Sequence, residues 1–250
     1  MVLLASGALA QPADKPTSHV PEPGRVHKDV RTVKVALIDS EFGSDHSYPL
    51  AQALPNLFAY LQTVPDLDLQ GQWHRRSLLD PPTAGKEVIL LYMTGSYSSL
   101  RLNDAEKTSL GRLLQQGVLL FADDIRWGTP AGLVGTGAGK VGTPFDLGFK
   151  KLMRDPLVLG EQGQQWKKVP LSDPLYSCYF ELPDGPPRGG APGGNVTDLE
   201  MLQLRGRPAV IFSDLNISWY WGDPRCRNRE RGLQFGVNLL VFALTQGLAP

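Results

Sequence analysis

The chain has 250 residues, of which 42% are hydrophobic, enough to enclose one generous core. Its 25 Lys and Arg residues balance 25 Asp and Glu residues, so no overall field draws it to nucleic acid or an anionic membrane, and neither partner is expected. Two cysteines and four histidines, with no Cys-x-x-Cys or His-x-x-x-His spacing, exclude a structural zinc site.

Residues 1–10, MVLLASGALA, end in Ala8-Leu9-Ala10, the small-x-small shape of a secretory cleavage site, although no basic stretch precedes them. They read as the end of a signal peptide that begins upstream, or as a plain apolar N-terminus. The Pro-rich residues 11–31 suit an extended or disordered leader, and a single domain is expected over 32–248. Export places the mature chain in the periplasm or outside the cell. No other stretch approaches the ~18 apolar residues that a membrane-spanning helix needs.

Four segments share one grammar: Val35-Asp39, Val88-Gly95, Val118-Asp124 and Ala209-Asp214 are continuous apolar runs that end in polar residues. Runs without alternation suit strands covered on both faces, as in the parallel sheets of α/β domains, where ligands collect beyond the strands' carboxyl ends. Between them, Tyr48-Val64 has helical spacing, with Pro49 in its first turn and a kink or break at Pro55. Leu67-Trp73 alternates like an edge strand. Asn103 and Glu106 form a capping box for a helix that Gly117 stops.

Gly128-Pro144 is too rich in glycine to be anything but loop, and Pro183-Asn195 is a second such loop. Phe145-Arg154 reads as a short helix and Leu175-Leu182 as a short strand. Leu199-Leu204 and Pro208-Ser213 flank Arg205-Gly206-Arg207 as a hairpin, and Leu233-Gln246 closes the chain as a helix.

The segments YMTGSYSSLRLNDAEKTSLGRLLQQGVLLFADD, FDLGFKKLM, LSDPLYSCYFEL, GRPAVIFSDLN and LQFGVNLLVFALT, in that order, resemble the bacterial family called domain of unknown function 4159. The resemblance covers most of Val33 to Gln246. It implies a fold similar to class I glutamine amidotransferases, a flavodoxin-like and mostly parallel sheet with an added C-terminal hairpin. It also implies an exported or membrane-tethered setting. Amidotransferases place a cysteine on the tight turn after the third strand. Here that turn reads Thr94-Gly95-Ser96-Tyr97-Ser98, without a thiol, and no histidine follows His74 to activate Ser96. Where members of the family often carry His-Pro, this chain has Asp173-Pro174. Catalysis by a nucleophile is therefore not expected.

If the strands are parallel, Asp39, Glu41, Thr94, Gly95, Ser96, Asp123, Asp124, Asp214 and Asn216 converge on one rim. Crowded carboxylates repel unless a cation or hydrogen bonds hold them, and Asp39, Asp123 and Asp124 would suit magnesium or calcium. The plainer alternative is that such residues bind loop amides and helix N-termini. Trp127, Trp219, Tyr220 and Trp221 lie beside these carboxylates in sequence, which is the chemistry of a glycan site, or equally of packing.

Three functions follow: a non-catalytic module binding an envelope protein or a small polar ligand, a divalent-metal hydrolase of glycan-like substrates, and a structural subunit of an envelope assembly. The glycines of 137–142 match a dinucleotide loop only in spacing, with no strand ahead of them. Arg225-Arg231 reads as a solvated loop or a dock for an anion. Cys178 and Cys226 are candidates for one disulfide.

Overall fold

The computed structural model describes residues 31–38, 49–80, 90–95, 100–125, 143–187 and 198–246. A seven-stranded sheet runs in the order β2-β1-β3-β4-β7-β6-β5. Its strands are β1 (Arg31–Ile38), β2 (Leu69–Arg76), β3 (Leu90–Gly95), β4 (Leu119–Asp124), β5 (Lys167–Lys168), β6 (Glu200–Leu204) and β7 (Arg207–Ser213). The pairs β1–β2, β1–β3, β3–β4 and β4–β7 are parallel, whereas β6 runs antiparallel to both β7 and β5. The described helices are α1 (Ala53–Leu61), α2 (Asp104–Gln115), α3 (Pro144–Met153), α4 (Ile217–Gly222) and α5 (Arg229–Gln246).

The pleat divides the core in two. Val35, Tyr92, Phe121 and Ile211 face α1, α4 and α5, while Ala36, Met93, Ala122 and Phe212 face α2 and α3. β3 and β4 are buried along their whole length, which is why their sequences show no alternation. Edge strand β2 is the exception and keeps five exposed residues.

Local chemistry sets the element ends. Asn103 and Glu106 close the expected capping box at 3.0 and 2.8 Å, and Gly117, at φ 108°, terminates α2. The orphan carbonyls of Leu114 and Gln115 accept from the Arg207 guanidinium of β7. Arg205 and Gly206 both have positive φ, the requirement of a type I′ turn, and they join β6 to β7.

Pro55 falls in the first turn of α1, where its missing N–H leaves no intrahelical bond unmade. The chain ahead of it is a 3-10 turn, Leu50–Gln52, so the α-helix is shorter than the sequence pattern suggested.

One expected strand is absent. Leu175-Leu182 forms a 3-10 turn at Pro174–Tyr176 followed by bends. Its backbone partners are not in the sheet: the buried Asn238 side chain on α5 accepts from the Phe180 amide at 2.7 Å and donates to the carbonyls of Phe180 and Leu175 at 2.8 and 3.1 Å. That one amide meets three backbone groups of the segment, and local turn bonds meet the amides of Tyr176, Ser177, Cys178 and Leu182. α4 and the two-residue β5 were not anticipated.

Candidate functional site at the carboxyl ends of the strands

The adjacent parallel strands β1, β3, β4 and β7 end at one edge of the sheet. Thr94 stands opposite Asp123 and Asp123 opposite Ser213, while Gly95 stands opposite Asp124. By the pleat, Thr94, Asp123 and Ser213 belong to the α1, α4 and α5 face, and Gly95 and Asp124 to the α2 and α3 face.

Asp123 is fully buried. Its two carboxylate oxygens accept from the backbone amides of Ser218, at 2.7 Å, and Ile217, at 3.2 Å, at the start of α4. This is how helix N-termini are ordinarily satisfied, although here the acceptor comes from a distant strand. Burial raises the Asp123 pKa to about 6, against the pull of those amides toward the charged form.

Asp124, also fully buried, accepts from the Thr143 hydroxyl at 2.6 Å. Thr143 in turn accepts from the Asp146 amide at 3.1 Å, so β4 is tied through one hydroxyl to the N-terminus of α3. The approach is close: a Cβ on Gly95 would stand 2.2 Å from the Phe145 ring. Further along α3, Lys150 bridges Asp146 and Glu200 at 3.2 and 2.6 Å and lies over the Phe212 ring.

These contacts give Asp123 and Asp124 backbone and hydroxyl partners, while Asp39, the third residue of the metal expectation, lies outside the described residues. Neighbouring strand residues point to opposite faces, so Asp123 and Asp124 belong to opposite faces of the sheet. Among the described residues, no group of three His, Cys, Asp or Glu side chains is placed to hold a metal. Asp39, Glu41, Ser96 and Trp127 lie outside the described residues, as does the glycine-rich 137–142 stretch.

Beyond β7 the chain turns sharply. Ser213 Oγ accepts from the Leu215 amide at 3.1 Å, and Asn216 sits at φ 56° and ψ 41°, a conformation that asparagine tolerates better than most residues. Asp214 and Trp219 are half-buried. Tyr220 and Trp221 are core residues rather than an exposed platform: the Trp221 indole N–H donates to Gly232 O at 2.8 Å and its ring lies beside Tyr92 and Phe121. The aromatic contact patch read from Trp219-Trp221 is thus reduced to Trp219.

α4 is held from below as well. Asn56 of α1 donates to the carbonyls of Trp221 and Gly222 at 3.0 and 3.1 Å, and a Cβ on Gly222 would meet Pro49 O at 2.2 Å. Beside this contact lies a narrow crevice of about 20 Å³, lined among others by Leu37, Leu54, Trp73, Arg75, Tyr92 and Thr94. That is room for about one water. Trp73 and Arg75 were not anticipated as rim neighbours. Thr143 could have been, since Thr143-Pro144 followed by Asp146 is a helix-start pattern.

The arginines of 225–231 are largely engaged. Arg225 pairs with Asp223 at 3.1 Å, and Arg231 donates to Gly185 O at 3.0 Å. An open basin of about 580 Å³ beside α5 is lined by Asp184, Pro186, Asn228, Glu230, Arg231 and Gln234, a set of mixed sign.

Cys178 and Cys226 are both free thiols. Cys178 lies against the Asn238 carbonyl at 3.2 Å, midway along α5, whereas Cys226 precedes that helix. Nine residues of helix from Arg229 to Asn238 separate the two neighbourhoods by roughly 13 Å, too far for a bridge. Burial pushes the Cys178 thiol up to about 11, which leaves it unreactive.

Residues 34–244 match the family described as Domain of unknown function (DUF4159). The chain belongs to this family. The match spans β1 to α5, so the rim and both helical layers are part of the DUF4159 domain. No curated protein matches the chain.

Proposed function

We propose that this DUF4159 domain is a non-catalytic binding module, exported to the periplasm or beyond, that holds a partner protein or a small polar ligand at the carboxyl-end rim. One observation carries the reading: Asp123 and Asp124 are spent on architecture, one on the start of α4 and the other on the start of α3, on opposite faces of the sheet. Side chains so engaged build the walls of a site and do no acid-base or metal chemistry in it.

The strand order β2-β1-β3-β4-β7 supports assigning the fold to the flavodoxin-like sheets, in which ligands sit at the β1/β3 switch point. On this reading the β6–β7 hairpin is the addition that likens the domain to class I glutamine amidotransferases. After the third strand the sequence reads Thr94-Gly95-Ser96 where those enzymes carry a thiol, which supports binding without turnover. The Ala8-Leu9-Ala10 pattern supports export.

The test uses amide chemical shifts, with soluble peptidoglycan fragments as the probe. Binding moves the amides of Thr94, Gly95 and Ser213 to Asn216 and leaves the probe intact by mass spectrometry. Shortened glycan in the presence of magnesium, calcium or manganese replaces this reading with the hydrolase.

A further inference from the structure

The two edges of the sheet are treated differently. At one, β5 is two residues long and both are exposed lysines, the kind of edge that resists pairing with another chain. At the other, β2 is eight residues long, contains no proline, and keeps register with β1 from Arg31↔Leu69 to Ile38↔Arg76 without a bulge. Gln70, Gln72, Trp73, His74 and Arg75 are exposed along it, and among the described residues nothing pairs with its outer side. An edge of this length offers a row of unmet backbone donors and acceptors.

The order of residues along β2 says what fits there. His74 and the cationic Arg75 and Arg76 all lie in the C-terminal half, and the N-terminal half is Leu69-Gln70-Gly71-Gln72. A two-fold axis normal to the sheet would bring β2 antiparallel to its own copy, with residues of the same face directly opposite. Centred on Trp73, this sets Trp73 against Trp73 of the second copy, Gly71 against Arg75, Gln72 against His74 and Gln70 against Arg76.

Every cation then faces a neutral residue, which a parallel in-register pairing would not allow. Trp73, 37% exposed, finds an aromatic partner across the strand. Opposite Arg75 stands Gly71, with no side chain of its own and with the Phe58 ring of α1 packed against it.

We propose that the outer edge of β2 is a homodimer interface, a second copy of this chain adding antiparallel strand to strand so that two seven-stranded sheets become one. Trp73 and Arg75 also line the crevice beside the carboxyl-end rim, but the pairing of β2 edges stands or falls without any ligand at that rim.

Light-scattering mass measured over a range of chain concentrations from micromolar upward tests it. The wild-type chain shifts from monomer to dimer with concentration. Trp73→Lys and Trp73→Glu, each placing like charges on the two-fold, are monomeric alone and recover the dimer when mixed. Gln72 is exposed and its replacement does not threaten folding, so Gln72→Lys, facing His74, weakens the dimer by tenfold or more and Gln72→Glu tightens it. A wild-type chain that stays monomeric throughout, or a dimer that all four substitutions leave unchanged, overturns the proposal.

Discussion

The amide of Ser218 donates to the carboxylate of Asp123 at 2.7 Å, inside a core from which water is excluded. The bond joins the end of the central strand to the start of a helix 95 residues further along the chain. It shows why a carboxylate is placed at the carboxyl end of β4: the first amides of α4 have no partner within their own helix, and a strand residue supplies one.

That arrangement makes stability depend on pH in an unusual direction. Burial holds the Asp123 pKa at about 6 in the folded chain, above the ordinary 3.8, so between these values the folded state retains a proton that the unfolded state has lost. The resulting stabilisation is complete below the lower value and is lost as pH rises through about 6. At 1.36 kcal/mol per unit, it is on the order of 3 kcal/mol. Urea unfolding at a series of pH values, compared with Asp123→Asn, should show the wild type gaining on the variant as pH falls from neutral toward 4. A difference that does not vary with pH would mean that Asp123 does not titrate in this range.

Asn238 is predicted to be the tie that shapes the Pro174 to Leu182 segment. Removing its side chain in Asn238→Ala leaves the Phe180 amide and the Phe180 and Leu175 carbonyls unmet, at about 1–3 kcal/mol each if they stay buried. The loss in unfolding free energy should reach at least about 3 kcal/mol. Hydrogen exchange should accelerate across 175–182 before it does in β3 or β4. Uniform acceleration over the whole sheet would show that Asn238 acts globally.

Much of the fold was legible because burial leaves plain marks. β1, β3, β4 and β7 read as strands from their unbroken apolar runs, and the Arg205-Gly206 turn and the Asn103 capping box read from chemistry confined to a few residues. Leu175-Leu182 misled because its large and aromatic residues suit a strand, while its backbone is met by local turns and by Asn238, some sixty residues away. α4 was missed for a related reason: Asn216 stands at its N-cap without making a cap hydrogen bond, and the first amides are met by Asp123 from a distant strand. The rim was legible only as a place. What the sequence did not show is that the strand's period of two turns the adjacent carboxylates Asp123 and Asp124 to opposite faces.

Gly222 should admit no side chain. A methyl group there meets Pro49 O, and the backbone of the 3-10 turn ahead of α1 cannot rotate aside as a flexible side chain could. Gly222→Ala is expected to cost about 1–3 kcal/mol. Combined with Asn56→Ala, it should lose less than the sum of the two, because both changes loosen the same α1–α4 contact. Strict additivity would separate the two contacts.

The thiols give a test independent of ligand. Protein prepared under oxidising conditions should release two titratable thiols on denaturation. In the folded state Cys226 should react before Cys178, whose buried thiol is held at about 11. A chain two mass units lighter, with no free thiol, would require α5 and the loop before it to be arranged differently.

The central claim is that the rim carboxylates hold the architecture and do not share a metal. Melting temperature in the presence of millimolar magnesium, calcium or manganese reads this directly, since an ion bound only by the folded state must raise it. The account predicts no rise in the wild type with any of the three. A cation-dependent rise that disappears in both Asp123→Asn and Asp124→Asn would contradict it.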